Sequence, residues 1–521
     1  MFDWLKGKER KNISSSGQRS KIKPVSVYPS EVKSAFYAGV HSSPLLYRYG
    51  FVACLSSTAA PALDGSPSVQ GWKTNVWADW VLTLHPGTTM VTASAGQAKL
   101  AILGEVFNPF TKEFDAQVIA DDLCGRASAT DQFLALLDEL SGRFVVLVKA
   151  ELTSEWLVYN DAFSARSIYY NAQEPGVLAS HAALLAELTA DPVDFNILAF
   201  TQSPAYQKRD VKYLPGARTL YQNIFYCPAN HRLRPAQGQP ERYWPRVVPD
   251  ESVGCSDLLI QYLDGYSDYI RARHDRELFG LTGGLDSRTL LAPLLAKKVP
   301  MTTFTLDRGD KNGGSSKDIV LAREMSAAAG VEHETLRIDY PGLKKAYFTE
   351  PMQALRQNTG FVRLNSPYAN CQLHNHFKDR FSGQSLSYSR GFGGELLRGF
   401  YQDKAGNIKD ISPKSFSHAY DVLPGSGLVR DSFQHFIAAS DYDDLQSIDP
   451  NDVFYGEHRM SGWGALAIAE TDITACTYPG YNSRRLYQAF MMRPFAERTQ
   501  RQEFKDAIAH FMPQLLDFDI E

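Results

Sequence analysis

Residues 281–288 read Leu-Thr-Gly-Gly-Leu-Asp-Ser-Arg, and this segment constrains the fold more than any other part of the 521-residue chain. The apolar run 278–281 predicts a buried strand, and the leucines spaced over 290–295 predict one face of a helix. Two adjacent glycines between them allow positive φ and close approach of the backbone to an anion. A strand, a glycine turn and a helix in this order direct backbone N–H groups and the positive helix end toward a phosphate.

The side chains of this turn indicate which phosphate chemistry it serves. No lysine follows the glycines, so the turn is not a Walker A motif. It resembles the pyrophosphate loop, Ser-Gly-Gly-x-Asp-Ser, of enzymes that cleave ATP to AMP and pyrophosphate. Thr282 and Ser287 add hydroxyl donors, and Asp286 is a candidate ligand for Mg²⁺. The alternative is an ordinary Gly-Gly turn, and Pro293 is expected to kink the helix that follows.

The composition describes a globular chain of two or three domains. Hydrophobic residues make up 44% and charged residues 21% of the sequence, and the length exceeds that of one ordinary core. The net charge of −4 gives no indication of nucleic-acid binding. No apolar stretch reaches the ~18 residues of a membrane span. The six cysteines include no CxxC pair, which predicts reduced thiols and a cytoplasmic protein.

The amino end differs in composition from the rest of the chain. Residues 1–24 contain seven Lys or Arg against two acidic residues, and they have no apolar core. Residues 1–25 are therefore predicted to form a disordered basic tail rather than a secretory signal. Weak docking of this tail to a membrane surface or an acidic partner is the alternative.

The two halves of the chain differ in their periodicity. The first half is β-rich and ends at a proline-containing linker, residues 245–251. Its expected strands are 77–84, 99–106, 142–148 and 155–160, and its expected helix is 131–140. The second half alternates helices with strands, which predicts a doubly wound parallel sheet with ligands at the carboxyl ends of its strands. Its expected helices are 256–271 and 317–328, and its later strands are 301–306 and 334–338.

Several segments resemble glutamine-dependent asparagine synthetases, in the same order along the chain. Those similar to the synthetase domain are 280–291, 302–306, 317–322 and 391–401. Those similar to the class II glutamine amidotransferase domain are 103–108, 140–144 and 160–170. The resemblance implies an α/β protein with an N-terminal α+β Ntn-type sandwich over 26–246 and a doubly wound ATP-pyrophosphatase domain over 247–521.

The first domain lacks the residues that this family uses on glutamine. The family's nucleophile is a cysteine at position 2, where this chain has Phe2, and the asparagine of its oxyanion hole aligns with Leu103. The acid that binds the glutamine amine aligns near Ala129. These departures predict a degenerate domain retained as packing support. They place the chain nearest to the β-lactam synthetases and lasso-peptide cyclases, which adenylate a carboxylate and let an amine attack it.

The resemblance implies ATP and Mg²⁺ as cofactors. Asp286 and Glu395 are the implied metal ligands and catalytic acids, with a helix N-terminal charge as the alternative role for Glu395. Asp318 is expected to orient the ribose or the loop, or to be a solvated helix charge, and His333 is expected to be structural. The ATP-binding residues are predicted to be Leu281, Thr282, Gly283, Gly284, Asp286, Ser287, Thr305, Leu306 and Gly391.

Two catalytic functions of the family have no direct counterpart here. The family's general base aligns with Phe392, which cannot accept a proton. Tyr388 is the candidate replacement; otherwise the amine arrives neutral, or the second step is not amide formation. The pyrophosphate-binding lysine is also missing. Arg398 and Arg493 are the candidates for its role, with surface arginines as the alternative.

The leading functional hypothesis is an AMP-forming carbon–nitrogen ligase. It would adenylate a small-molecule or peptide carboxylate and then form an amide or lactam with an amine. Two alternatives stay open: an ammonia-using asparagine synthetase-like amidotransferase acting on a peptide or sugar acid, and a non-catalytic ATP-binding scaffold. No nucleic acid and no membrane span is expected. The sequence does not identify the acid, the amine or the oligomeric state.

Overall fold

The computed structural model describes residues 42–56, 66–151, 155–246, 254–309, 317–346, 349–364, 367–402 and 408–520. The predicted tail, Phe2 within it, and residues 247–251 of the predicted linker lie outside the described residues. Within the described ranges no helix combines the length and apolarity that crossing a membrane requires. All six cysteines are described, and each is a free thiol.

The described part of the first half forms two antiparallel sheets. Its strands are β1 (Phe51–Leu55), β2 (Lys73–Trp77), β3 (Trp80–Leu84), β4 (Met90–Ala95), β5 (Ala98–Phe107), β6 (Ser141–Lys149), β7 (Leu157–Asn160), β8 (Tyr169–Asn171), β9 (Val177–Ala179), β10 (Ile224–Tyr226), β11 (His231–Arg234) and β12 (Gln239–Arg242). One six-stranded sheet has the order β10-β8-β9-β1-β3-β2, and the other has the order β12-β11-β7-β6-β5-β4. The single strand expected over 77–84 is wrong, because the chain reverses at Ala78 (φ 48°) and Trp77 pairs with Trp80 in a hairpin.

Helices cover the outer faces of these two sheets. The helices of this half are α1 (Ala116–Arg126), α2 (Thr130–Glu139), α3 (Ala182–Thr189), α4 (Phe195–Thr201) and α5 (Pro204–Gln207). Side chains alternate along β5, so Leu103 joins Phe51 in the core between the sheets, whereas Ile102 faces the core under α1 and α2. Residues of α3 pack on the opposite side of the other sheet. The half is therefore a layered α+β sandwich.

The second half is built on a five-stranded parallel sheet. Its strands are β13 (Arg276–Gly280), β14 (Met301–Asp307), β15 (His333–Arg337), β16 (Leu386–Arg390) and β17 (Cys476–Pro479). The order across the sheet is β15-β14-β13-β16-β17, and every neighbouring pair is parallel. Strands β14 and β15 follow β13 toward one edge of the sheet, whereas β16 and β17 lie on its other side. The strand order therefore reverses between β13 and β16.

Helices pack on both faces of the parallel sheet. They are α6 (Cys255–Arg273), α7 (Leu285–Ala296), α8 (Lys317–Ala329), α9 (Leu343–Ala346), α10 (Glu350–Asn358), α11 (Tyr368–Phe377), α12 (Gly394–Leu397), α13 (Pro413–Tyr420), α14 (Gly427–Ser440), α15 (Pro450–Phe454), a π-helix (Tyr455–Gly464), α16 (Ala465–Thr471), α17 (Arg484–Met491), α18 (Phe495–Arg498) and α19 (Gln502–Phe511). Phe279 of β13 shares a core with α7, while the adjacent Leu278 packs with α11 on the other face. The α/β fold with a doubly wound sheet is confirmed. Helix α7 continues through Pro293 to its end.

Helix α6 joins the sandwich to the parallel sheet. Tyr269 stacks on Phe107 of β5, with ring centroids 3.9 Å apart. A Cβ on Gly265 would lie 1.9 Å from the carbonyl oxygen of Pro109, so this contact requires glycine. Arg143 of β6 donates to both carboxylate oxygens of Asp472 at 2.6 Å in a buried pair. These contacts are buried and join the two halves; the role of the first half as packing support stays a prediction.

Candidate active site

The strand order reverses between β13 and β16, and the region at the carboxyl ends of these two strands is called the crevice. In an open α/β sheet this switch point is where ligands bind. The glycine turn 281–284 leaves β13 here, and the segment 391–394 leaves β16 beside it. The two segments touch, because a Cβ on Gly391 would lie 3.4 Å from the backbone nitrogen of Ser287.

The glycine turn leaves one side open toward the crevice. Helix α7 begins after Gly284, and no side chain caps it, so its first N–H groups lack an intrahelical acceptor. The hydroxyls of Thr282 and Ser287 lie 3.0 Å apart, and both residues are half-buried. The hydroxyl of Ser287 also donates to Gly284 O at 3.1 Å, within the turn. The uncapped start of α7 beside these hydroxyls is a donor set of the kind that favours an anion.

Two residues outside the turn hold it in place. The carboxylate of Asp318 accepts from the N–H of Gly283 at 2.6 Å. Of the roles predicted for Asp318, this contact corresponds to orienting the loop. Arg288 is fully buried and donates to Gly283 O at 3.1 Å and to Asp519 O at 2.6 Å. Arg288 was not predicted as a site residue. The only sequence signal was its place directly after the turn, and its other carbonyl acceptors, those of Leu515, Phe518 and Asp519, lie more than two hundred residues away.

Asp286 and Glu395 meet across the crevice. The Cβ position of Gly394 lies 2.7 Å from Cγ of Asp286, which leaves no room for a side chain there. Oδ2 of Asp286 accepts from Arg398 at 3.1 Å. Within the described residues, Oδ1 of Asp286 and Oε2 of Glu395 are buried and have no hydrogen-bond partner. Two carboxylate oxygens of this kind are costly unless a cation or proton satisfies them.

The charges of Asp286, Glu395 and Arg398 act on one another. Burial raises the pKa of Glu395, and the charge of Asp286 raises it further. Burial alone would lower the pKa of Arg398, but the charges of Asp286 and Glu395 outweigh it and raise that pKa above its ordinary value. No group of three or more metal-binding side chains occurs in the described ranges. Two carboxylates fit Mg²⁺, which takes its other ligands from water and substrate phosphates.

The remaining predicted ATP-binding residues differ in how deeply they are buried. The side chain of Leu281 is fully buried in the core, so its backbone is the part near the turn. Thr305 is buried and donates to Leu281 O at 2.7 Å, while Leu306 after it is half-buried at the end of β14. His333 lies at the start of β15, and its Nδ1 is 2.9 Å from the hydroxyl of Thr303; its structural role stays a prediction.

Of the candidates for the general base and for the pyrophosphate-binding cation, Arg398 contacts the acid pair, whereas Tyr388 and Arg493 have other partners. Tyr388 packs in an apolar cluster with Phe304, and burial raises the pKa of its phenol, which disfavours it as a base. Arg398 contacts Asp286. Arg493 pairs instead with Glu503 and Glu497, and no contact joins it to the acid pair among the described residues. The pyrophosphate-binding role therefore stays a prediction for Arg398 and loses its geometric basis for Arg493.

Comparisons with known proteins give structural matches only. No protein-family model matches the chain, and a search of curated proteins finds no match. The chain is similar to the NH3-dependent NAD synthetase from Campylobacter jejuni subsp. jejuni NCTC 11168, at 15% identity and a TM-score of 0.22, over 40% of this chain and 91% of that one. It is similar to NMN synthetase from Francisella tularensis, at 16% identity and a TM-score of 0.18, over 42% and 91%. It is also similar to the glutamine-dependent NAD+ synthetase from Acinetobacter baumannii, at 14% identity and a TM-score of 0.19, over 52% and 64%.

Proposed function

We propose that this protein is an ATP-dependent ligase that adenylates a carboxylate and then forms an amide or lactam bond. The supporting observation is the pair of buried carboxylates, Asp286 and Glu395, each with an unpartnered oxygen, beside a glycine turn at the switch point. A purely structural pair of acids would be satisfied by protein donors. A pair left open toward an anion-binding turn suits a divalent cation that accompanies a triphosphate.

The proposed reaction has two balanced steps. In the first, a carboxylate oxygen of the acid bonds to the α-phosphorus of ATP, and the bond to the oxygen bridging the α- and β-phosphates breaks, so pyrophosphate leaves with that electron pair. In the second, an amine nitrogen bonds to the acyl carbon, AMP leaves, and the nitrogen loses a proton. When bound, Mg²⁺ would stabilise the charge that develops on the phosphates.

Each residue of the crevice has a role in this proposal. The hydroxyls of Thr282 and Ser287 and the start of α7 would hold the phosphates. Asp286 and Glu395 would hold Mg²⁺, and Arg398, which contacts Asp286, would neutralise charge on the departing pyrophosphate. Fixed donors and charges of this kind act by positioning and by electrostatic stabilisation.

A non-catalytic ATP-binding scaffold is the second candidate. It is favoured by the aromatic surroundings of the base position: Phe392 packs on Trp463, with ring centroids 5.2 Å apart, and Tyr388 is buried. An ammonia-using amidotransferase shares the first step of the proposed reaction and differs only in its amine.

Exchange of labelled pyrophosphate into ATP, with Mg²⁺ and a panel of carboxylic acids, tests the proposal. We expect exchange that depends on the acid and is abolished in Asp286→Asn without loss of the fold. Asp268→Asn is the matched control: its side chain is 18% exposed and ion-paired with Lys297, against 16% for Asp286, but it lies on α6. Absence of exchange with every acid favours the scaffold, and full activity of Asp286→Asn would refute the metal assignment.

A further inference from the structure

A π-helix spans Tyr455–Gly464, between α15 and α16. Helices of this type are rare, occur mostly as single turns, and are frequent at functional sites. A ten-residue π-helix therefore needs a physical reason beyond packing. Its wider turn changes which side chains share a face, and Arg459 is the cation that it places against the rings of Phe400 and Trp463.

Arg459 is held by aromatic rings rather than by carboxylates. Its guanidinium carbon lies 5.2 Å from the ring centroid of Phe400, 5.7 Å from that of Tyr455 and 5.1 Å from that of Trp463. Its Nε is buried and has no hydrogen-bond partner in the described structure. Among the described residues it forms no ion pair, whereas the neighbouring Arg398 is paired with Asp286. Arg459 is half-buried, and the polar groups that act on its guanidinium are the phenols of Tyr401, Tyr455 and Tyr213. A guanidinium without a carboxylate partner among the described residues is suited to an anion from outside.

Two of the rings around Arg459 adjoin the segment that carries Glu395. Phe400 donates its backbone N–H to the backbone carbonyl of Glu395 at 3.0 Å, and Trp463 packs on Phe392, three residues before Glu395. Trp463 therefore contacts both Arg459 and Phe392, which places the guanidinium among rings that adjoin the segment carrying Glu395.

We propose that Arg459 binds the carboxylate of the acid substrate, and that Phe392, Phe400, Tyr455 and Trp463 form the wall against which an aromatic or apolar body of that acid packs. This inference rests on the proposed function and names its substrate class. A guanidinium can hold a carboxylate by two parallel hydrogen bonds, and π-stacked rings pre-orient it for this. Phe392, which replaces the family's general base, acquires a function as part of the wall.

Equilibrium binding tests this without requiring turnover. The protein is saturated with Mg²⁺ and α,β-methylene-ATP, which cannot be cleaved at the α-phosphate, and titrated calorimetrically with 3-phenylpropionate or with succinate. We expect 3-phenylpropionate to bind more tightly than succinate. Arg459→Met should weaken the binding of 3-phenylpropionate by ~10- to 100-fold, the contribution of a charge-assisted hydrogen bond. Arg459→Lys should retain part of the affinity that Arg459→Met loses. Affinity for the nucleotide alone should be unchanged.

Arg276→Lys is the matched control, because Arg276 also lies over a ring, 4.9 Å from the centroid of Phe381, but at the amino end of β13. It should leave acid binding unchanged. Trp463→Leu should reduce the preference for 3-phenylpropionate over succinate.

Equal binding of the two acids by the wild type, or unchanged acid affinity in both Arg459 variants, would overturn the inference. Loss of nucleotide affinity in Arg459→Lys would assign Arg459 to a phosphate instead. Acid and nucleotide binding without pyrophosphate exchange would refute the proposed function and leave the acid subsite intact.

Discussion

Gly394 offers a direct test of whether the position of Asp286 controls activity. In Gly394→Ala the new Cβ would lie 2.7 Å from Cγ, and 2.9 Å from both Cβ and Oδ1, of Asp286, and ordinary contacts begin at 3.4 Å. A shift of about 0.7 Å is therefore required, the difference between 3.4 and 2.7 Å. The clash includes Cβ of Asp286, so rotation of the carboxylate alone cannot relieve it, and the start of α7 or the segment 391–394 must move.

The expected loss is larger in activity than in stability. A misplacement of about 1 Å can cost ~100-fold in rate, so we expect pyrophosphate exchange to fall by roughly 10- to 100-fold in Gly394→Ala. Overpacking costs about 1–3 kcal/mol, and the better helix propensity of alanine offsets up to about 1 kcal/mol of this. Unfolding of the variant should therefore shift only slightly toward lower temperature or denaturant.

A graded series of glycine variants provides the control. A Cβ at Gly391 meets its nearest atom at 3.4 Å, one at Gly284 at 3.5 Å, and one at Gly425 meets nothing within 4 Å. Exchange activity should fall least in Gly425→Ala and most in Gly394→Ala, with the other two variants in between. Activity of Gly394→Ala within twofold of the wild type, at unchanged stability, would refute the argument that close packing of this glycine positions the acid.

Two further predictions concern other parts of the chain. Glu277 is fully buried, and burial raises its pKa from 4.5 to about 7, so the native state binds more protons than the unfolded state between these values and the free energy of unfolding falls as pH rises through them. At 1.36 kcal/mol per pKa unit this shift amounts to about 3 kcal/mol. The free energy of unfolding in urea of Glu277→Gln, relative to that of the wild type, should therefore rise by about this amount between pH 4 and pH 8. Parallel pH curves for the two proteins would contradict the assignment. Removal of residues 2–20 should leave pyrophosphate exchange within twofold of the full chain, because Phe2 cannot serve as a nucleophile; a tenfold loss would mean that the amino end takes part.

The elements next to the glycine turn were predictable because their signals are local. The apolar run and the leucine spacing placed β13 and α7 to within a few residues, and alternation of helices with strands predicted the doubly wound sheet. The hairpin at Ala78 was missed for a physical reason. The apolar residues before and after the turn form one continuous strand-like pattern in the sequence. The turn contains no glycine, proline or asparagine that would interrupt this pattern.

The candidate site was only partly predictable. Spacing and resemblance pointed to Asp286, Glu395 and Arg398, which the fold brings to one crevice. They also pointed to Arg493, whose charge is taken up by Glu497 and Glu503. No local pattern distinguishes an arginine with an available partner from one without, because the distinction depends on which distant acids fold against it.

The order strand, glycine turn, helix was determined by the sequence alone, since these elements are neighbours along the chain. The residues that surround the turn were decided by the tertiary structure. Arg288 is held by carbonyls near the carboxyl terminus, and Phe163 of the sandwich would contact a Cβ at Gly393 at 2.9 Å. The aromatic enclosure of Arg459 likewise depends on a π-helix that no sequence period announced. Such contacts join residues separated by tens to hundreds of positions, so chain folding rather than chain order sets them.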